Sequence, residues 1–101
     1  MKDLTEYLKK VKIKEIGFDI TDEESCLKAV RKYGYLIQFI KNPSEAVCLA
    51  ALNQNGYSIH YIENPSEEVC LAAVKQNGNL IRYIDIDSLS EATKEILVYL
   101  V

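Results

Sequence analysis

The apolar positions of this chain recur every 22 residues. Val47-Cys48-Leu49-Ala50-Ala51-Leu52 returns as Val69-Cys70-Leu71-Ala72-Ala73-Val74, and a fainter copy, Cys26-Leu27-Lys28-Ala29-Val30, precedes both. Polar punctuation repeats with it: Asn42-Pro43-Ser44-Glu45 and Asn64-Pro65-Ser66-Glu67 before the apolar runs, Asn55-Gly56 and Asn77-Gly78 after them. Several copies at one fixed spacing are the mark of a stacked-repeat architecture. The punctuation predicts one helix of roughly three turns per unit. Asn42 and Asn64 are the expected N-caps, with Pro43 and Pro65 at the first helical position and Glu45 and Glu67 three residues after the cap. Thr21 and Glu24 repeat that spacing without the proline. Gly34, Gly56 and Gly78 are the expected stops, in the left-handed conformation that glycine adopts cheaply.

Helices apolar nearly all round are buried on several sides. Ala29, Ala51 and Ala73 form a column of small residues where neighbouring helices can approach closely. Lys28 stands where the later units have Ala50 and Ala72, so that edge is expected to reach solvent. A second segment follows each glycine: Tyr35–Lys41, Tyr57–Glu63 and Asn79–Asp85. As a short helix it pairs Ile37/Ile40, Ile59/Ile62 and Ile81/Ile84 at i, i+3. As a strand it alternates Tyr57, Ile59 and Tyr61 with Ser58 and His60, but Ile62 and Ile84 break the alternation, so helix is the expected form.

The ends lose the pattern. In residues 1–20, Leu4, Leu8 and Phe18 align with Cys26, Val30 and Ile40, but Lys12 replaces the glycine and the Asn-Pro is missing. In residues 87–101, Ser88 or Ser90 can cap a last helix in which Ile96, Leu97, Leu100 and Val101 share a face. Degenerate end units are usual where one face meets water. The predicted fold is therefore all-α: a short solenoid of 22-residue helix–turn–helix repeats in a single domain. Residues 1–20 form an N-terminal cap, 21–42, 43–64 and 65–86 the repeats, and 87–101 a C-terminal cap helix.

The unit Asn64-Pro65-Ser66-Glu67-Glu68-Val69-Cys70-Leu71-Ala72-Ala73-Val74-Lys75-Gln76-Asn77-Gly78, followed by Arg82-Tyr83-Ile84, resembles an uncharacterised family of short tandem helical repeats. That family is known only as a domain of unknown function and occurs in microbial and viral proteins, often in long arrays. The likeness is strong over residues 42–84, weaker over 21–41, and absent outside. It implies a repeat array and brings no catalytic or binding residues.

Composition narrows the function classes modestly. Of 101 residues, 49% are hydrophobic and 27% charged, as in an ordinary globular protein, and the net charge of −3 gives no global attraction to nucleic acid. The charge is uneven: residues 1–41 carry nine Lys/Arg against seven Asp/Glu, residues 42–101 three against eight. Lys9, Lys10, Lys12 and Lys14 are the densest basic run; as a solvated face they need no ligand, and as a nucleic-acid face they supply the runner-up reading. No apolar run approaches the ~18 residues of a membrane span. Met1–Glu6 lacks the apolar core of a signal peptide, and a cytoplasmic location is expected. Cys26, Cys48 and Cys70 occupy one repeat position. Stacking at about 8–10 Å separates them beyond the ~7 Å reach of a disulfide, so they read as small buried apolar residues. With one histidine and no Cys-x-x-Cys, no metal or cofactor is expected.

Catalysis finds no foothold in the pattern. The Asn-Gly pairs lack a phosphate-cradling loop or its lysine, and Glu45, Glu67 and Glu68 serve helix dipoles in first turns. The rows that vary while the scaffold repeats are Gln38/His60/Arg82 and Tyr35/Tyr57/Asn79, beside the aromatic row Phe39/Tyr61/Tyr83. Aromatics packed between units and a merely wet polar row account for them structurally. Solenoids also present such rows as continuous binding strips. The candidate binding residues are therefore Gln38, His60, Arg82, Tyr57, Tyr61 and Tyr83. The expected function is a non-enzymatic protein-interaction module of the small adaptor or inhibitor kind, with an unidentified protein partner. Nucleic-acid association through the basic face, or small-molecule binding by an oligomer, are the alternatives.

Overall fold

A computed structural model describes Asp19 and residues 21–100. The expected N-terminal cap at 1–20 and the basic run Lys9–Lys14 therefore lie outside the described residues, save Asp19. Four α-helices follow in order: α1 (Glu23–Lys32), α2 (Glu45–Gln54), α3 (Glu67–Gln76) and α4 (Glu91–Leu100). Between them lie 3-10 helices η1 (Gly34–Phe39), η2 (Gly56–Tyr61), η3 (Gly78–Tyr83) and the single turn η4 (Ile86–Ser88). No strand occurs among the described residues, and the segments after each glycine are helical as expected. Their i, i+3 isoleucines suit a helix of three residues per turn, where such positions eclipse. Each α-helix packs on the next, and η1, η2 and η3 pack on one another as a second layer.

The helix starts correct the sequence reading. Asn42 and Asn64 are not caps; they take left-handed backbone at φ 53° and 48°. A following proline disfavours the right-handed helical region, and asparagine is among the few residues that tolerate the left-handed one. The caps are Ser44 and Ser66, whose extended backbone lets Oγ accept from Val47 N and Val69 N, each at 3.2 Å. Pro43 and Pro65 precede the cap, and Glu45 and Glu67 are the first helical residues. In the first unit Asp22 takes this place, not Thr21, accepting from Ser25 N at 3.1 Å. Ser90 caps α4, accepting from Thr93 N at 3.3 Å.

Each cap serine also reaches back one unit. Ser44 Oγ donates to Glu23 Oε1, Ser66 Oγ to Glu45 Oε1, and Ser90 N and Oγ to the Glu67 carboxylate. The first-turn glutamates therefore serve two helices: the dipole of their own, and the capping hydroxyl of the next. This ladder sets all four helices in one direction with their N-termini along one edge.

The stops also differ from expectation. The residues that end α1, α2 and α3 are Tyr33, Asn55 and Asn77, all extended, and each following glycine opens a 3-10 helix. Gly34 and Gly56 do not use left-handed backbone; they are buried between units. A Cβ on Gly34 would stand 2.5 Å from Ala51 O and 2.7 Å from Ser58 Oγ, and one on Gly56 would stand 2.8 Å from Leu80 Cδ1. Close approach, not φ, requires glycine there. Gln54 of α2 closes the same seam by accepting from Gly34 N.

The core runs as columns through the stack. Ala29, Ala51 and Ala73 are each 0% exposed, and Val30, Leu52 and Val74 are buried beside them. Lys28 is exposed, as its place beside half-buried Ala50 and Ala72 implied. Leu36 and Leu80 are likewise buried, but Ser58 stands between them in the same column, its hydroxyl without a hydrogen-bond partner among the described residues. In α4 only Thr93 and Leu97 are buried, because these i, i+4 positions face α3. Ile96, expected to share Leu97's face, is instead 44% exposed, and Val101 lies outside the described residues.

Gly34→Ala is expected to cost about 2–3 kcal/mol, since the methyl group meets backbone oxygen that cannot turn aside. Chemical denaturation followed by circular dichroism measures it; a loss under about 0.5 kcal/mol would mean the units stand further apart than described.

The ladder also carries a pH signature. Hydrogen bonds from Ser90 hold the Glu67 carboxyl below its ordinary value of 4.5. A carboxylate whose folded pKa is depressed contributes stability that is present above the unfolded pKa and lost as pH falls through the folded one. Glu67→Gln should therefore flatten the fall of stability below about pH 4.5. Denaturation midpoints taken from pH 6 to about pH 3 read the difference, and superimposable profiles would remove Glu67 from the ladder.

Candidate functional site

The surface of interest is built by the 3-10 layer. A 3-10 helix turns every three residues, so in η2 the pair Ile59 and Ile62 faces inward while Tyr57, His60 and Tyr61 face outward. In η3, Leu80 is buried and Arg82 and Tyr83 are exposed. Exposure is 54% for Tyr57, 42% for Tyr61 and 41% for Tyr83, high for rings of that size. Gln38, His60 and Arg82 are exposed in all three units.

Four of the six candidates meet. The Tyr57 and Tyr83 rings lie edge-on with centroids 6.4 Å apart, His60 and Tyr83 at 5.5 Å, and His60 and Tyr61 at 5.3 Å. These are favourable edge-to-face geometries, and they join η2 to η3 across the surface. Tyr83 thus packs against the preceding unit and stays exposed at once. Phe39, in the same row, is half-buried. Gln38 stands apart from the cluster: its Nε2 donates to Tyr35 O at 3.0 Å, a local turn contact. Arg82 is exposed one residue before Tyr83.

A cleft of about 710 Å³ adjoins the cluster. It opens between the Asn42-Pro43 and Asn64-Pro65 turns, with Gln38, Phe39 and Tyr61 on one side and Cys48 and Val69 among its lining. Sequence reading missed this cleft and with it Lys41, Asn42, Glu63 and Asn64. The repeated Asn-Pro was a usable signal, because it demands a sharp, left-handed turn twice at equal spacing. What it did not reveal is that two such turns, 22 residues apart, face one another.

The thiols belong to the core. Cys26, Cys48 and Cys70 are all buried. Burial raises the pKa of each, with nearby carboxylates adding to the shift: Asp22, Asp19 and Glu23 at Cys26, Glu45 at Cys48, and Glu67 at Cys70. Protonated at neutral pH, they are poor nucleophiles. Among the described residues, no group of three or more His, Cys, Asp and Glu side chains is placed to hold a metal ion, and no helix is long and apolar enough to cross a membrane.

Residues 44–90 match a family described as a domain of unknown function (DUF4116). The matched segment begins at the cap of α2 and ends at the cap of α4, so it spans two whole turns of the solenoid. No curated protein and no solved structure matches the chain.

The cysteines should label slowly in the native protein and fully on unfolding. A thiol reagent followed by mass spectrometry tests this, and prompt native labelling of Cys48, which lines the cleft floor, would place its sulfur at the surface.

Proposed function

We propose that this protein is a non-enzymatic binding module that recognises another protein through the surface of η2 and η3, in the cytoplasm. The observation that carries the reading is the exposed aromatic cluster of Tyr57, His60, Tyr61 and Tyr83. Tyrosine supplies a large, rigid contact area at a small entropic cost, and Tyr and Arg are enriched where binding energy concentrates. The cluster's ring-to-ring contacts hold it in place before any partner arrives, which lowers the cost of ordering it on association. Arg82 flanks it as an adaptable polar group, and the adjoining cleft, lined in part by Gln38, offers a concave edge for a protruding side chain. The buried free thiols of Cys48 and Cys70 fit a reducing compartment.

The test pairs stability with capture. Tyr57→Ser with Tyr83→Ser should remove a stoichiometric partner from host-lysate capture, a loss of at least about tenfold in affinity for two hot-spot tyrosines. Gln38→Ala with Arg82→Ala should leave the thermal midpoint nearly unchanged, as both are surface positions outside the ring contacts. Capture that survives the tyrosine variant moves the binding surface elsewhere; a collapsed midpoint in the second variant makes the row part of the scaffold.

A further inference from the structure

Resting on that reading, the charges around the tyrosines indicate what kind of partner fits them. In two successive units an exposed tyrosine is followed two residues later by an exposed carboxylate: Tyr61 by Glu63 and Tyr83 by Asp85. Glu63 lines the same cleft as Tyr61. Neither carboxylate is committed within the protein: among the described residues the one ion pair joins Lys94 to Glu91, and Asp85 is engaged only through its backbone carbonyl. Asp87 adds a third exposed carboxylate just beyond. The first unit breaks this pattern, since half-buried Phe39 is followed by Lys41.

We infer that the partner presents arginine or lysine side chains to η2 and η3, each cation lying on the face of Tyr61 or Tyr83 with Glu63 or Asp85 as its counter-charge. A tyrosine face attracts a cation through the ring quadrupole, and a neighbouring carboxylate adds a charge-assisted hydrogen bond. The wider field agrees in sign, because residues 42–101 carry eight acidic against three basic side chains and so steer a basic segment toward this part of the molecule. Stacked nucleobases would also suit exposed tyrosines, but their phosphates would meet the carboxylates. Arg82 on the strip and Lys41 in the cleft are cations that oppose the proposed partner.

The probe is a fluorescently labelled hexa-arginine peptide, titrated into the whole chain, with hexa-glutamate and a single-stranded oligonucleotide as anionic comparators. Hexa-arginine should bind most tightly. Glu63→Gln with Asp85→Asn should weaken it by about fivefold or more, while Glu24→Gln with Glu68→Gln, which removes the same charge from exposed positions elsewhere, should change it by less than about twofold. Tyr61→Leu with Tyr83→Leu should also weaken it, and Arg82→Ala should strengthen it. Equal losses from the two carboxylate pairs would mean bulk attraction rather than a site and would overturn the inference. So would tighter binding of either anionic probe, or no hexa-arginine binding at about millimolar concentration. The two readings fail separately. A captured partner lost with Tyr57→Ser and Tyr83→Ser but indifferent to Glu63→Gln and Asp85→Asn leaves protein binding standing and removes the basic partner. Capture indifferent to the tyrosines beside carboxylate-dependent hexa-arginine binding does the reverse.

Discussion

A serine hydroxyl at the start of α2, α3 and α4 makes two bonds at once, and the geometry of the whole stack follows from that. As an acceptor it satisfies an amide that the helix leaves unpaired; as a donor it engages the glutamate that opened the previous helix. A cap alone would only start a helix. A cap tied to its neighbour also fixes the axial offset between helices, so that the same side chains meet in every unit. Ala29, Ala51 and Ala73 can then form a fully buried column, and Gly34 and Gly56 can pass close under the next unit. A slip of one residue would put a side chain where only a hydrogen fits.

The register has a cost at one place. Ser58 occupies a column otherwise filled by Leu36 and Leu80, and its buried hydroxyl lacks a partner among the described residues, an arrangement that costs about 1–3 kcal/mol. Gly34 lies directly against it, as Gly56 lies against Leu80 in the next unit. The columns are therefore close-packed without being uniform.

Because the scaffold rows are held by neighbours on both sides, the outward positions of the 3-10 layer are left to vary. Gln38, His60 and Arg82 change charge from unit to unit without touching the core. The aromatic row behaves differently. Tyr83 contacts Tyr57 and His60 of the preceding unit, so the candidate surface is itself part of the stacking between η2 and η3. Rigidity of the fold and preorganisation of the candidate surface have one cause.

The period, the helical character of both segments, the alanine column and the buried thiols were legible in the sequence, because each rests on local preference or on spacing that repeats. The positions of the caps were not: Asn42 and Ser44 both suit a helix start, and the choice fell to the serine because only its hydroxyl also reaches Glu23 on the neighbouring helix. The glycines misled for the same reason, since a close approach between units leaves no trace in the local chain. The six candidate residues were found from the rows that vary and the aromatic row beside them, yet their division into a four-ring cluster, an exposed Arg82 and an isolated Gln38 on an adjoining cleft was invisible. Which exposed side chains meet depends on how far one unit is offset from the next, and that offset is a property of the stack, set by contacts about 22 residues apart.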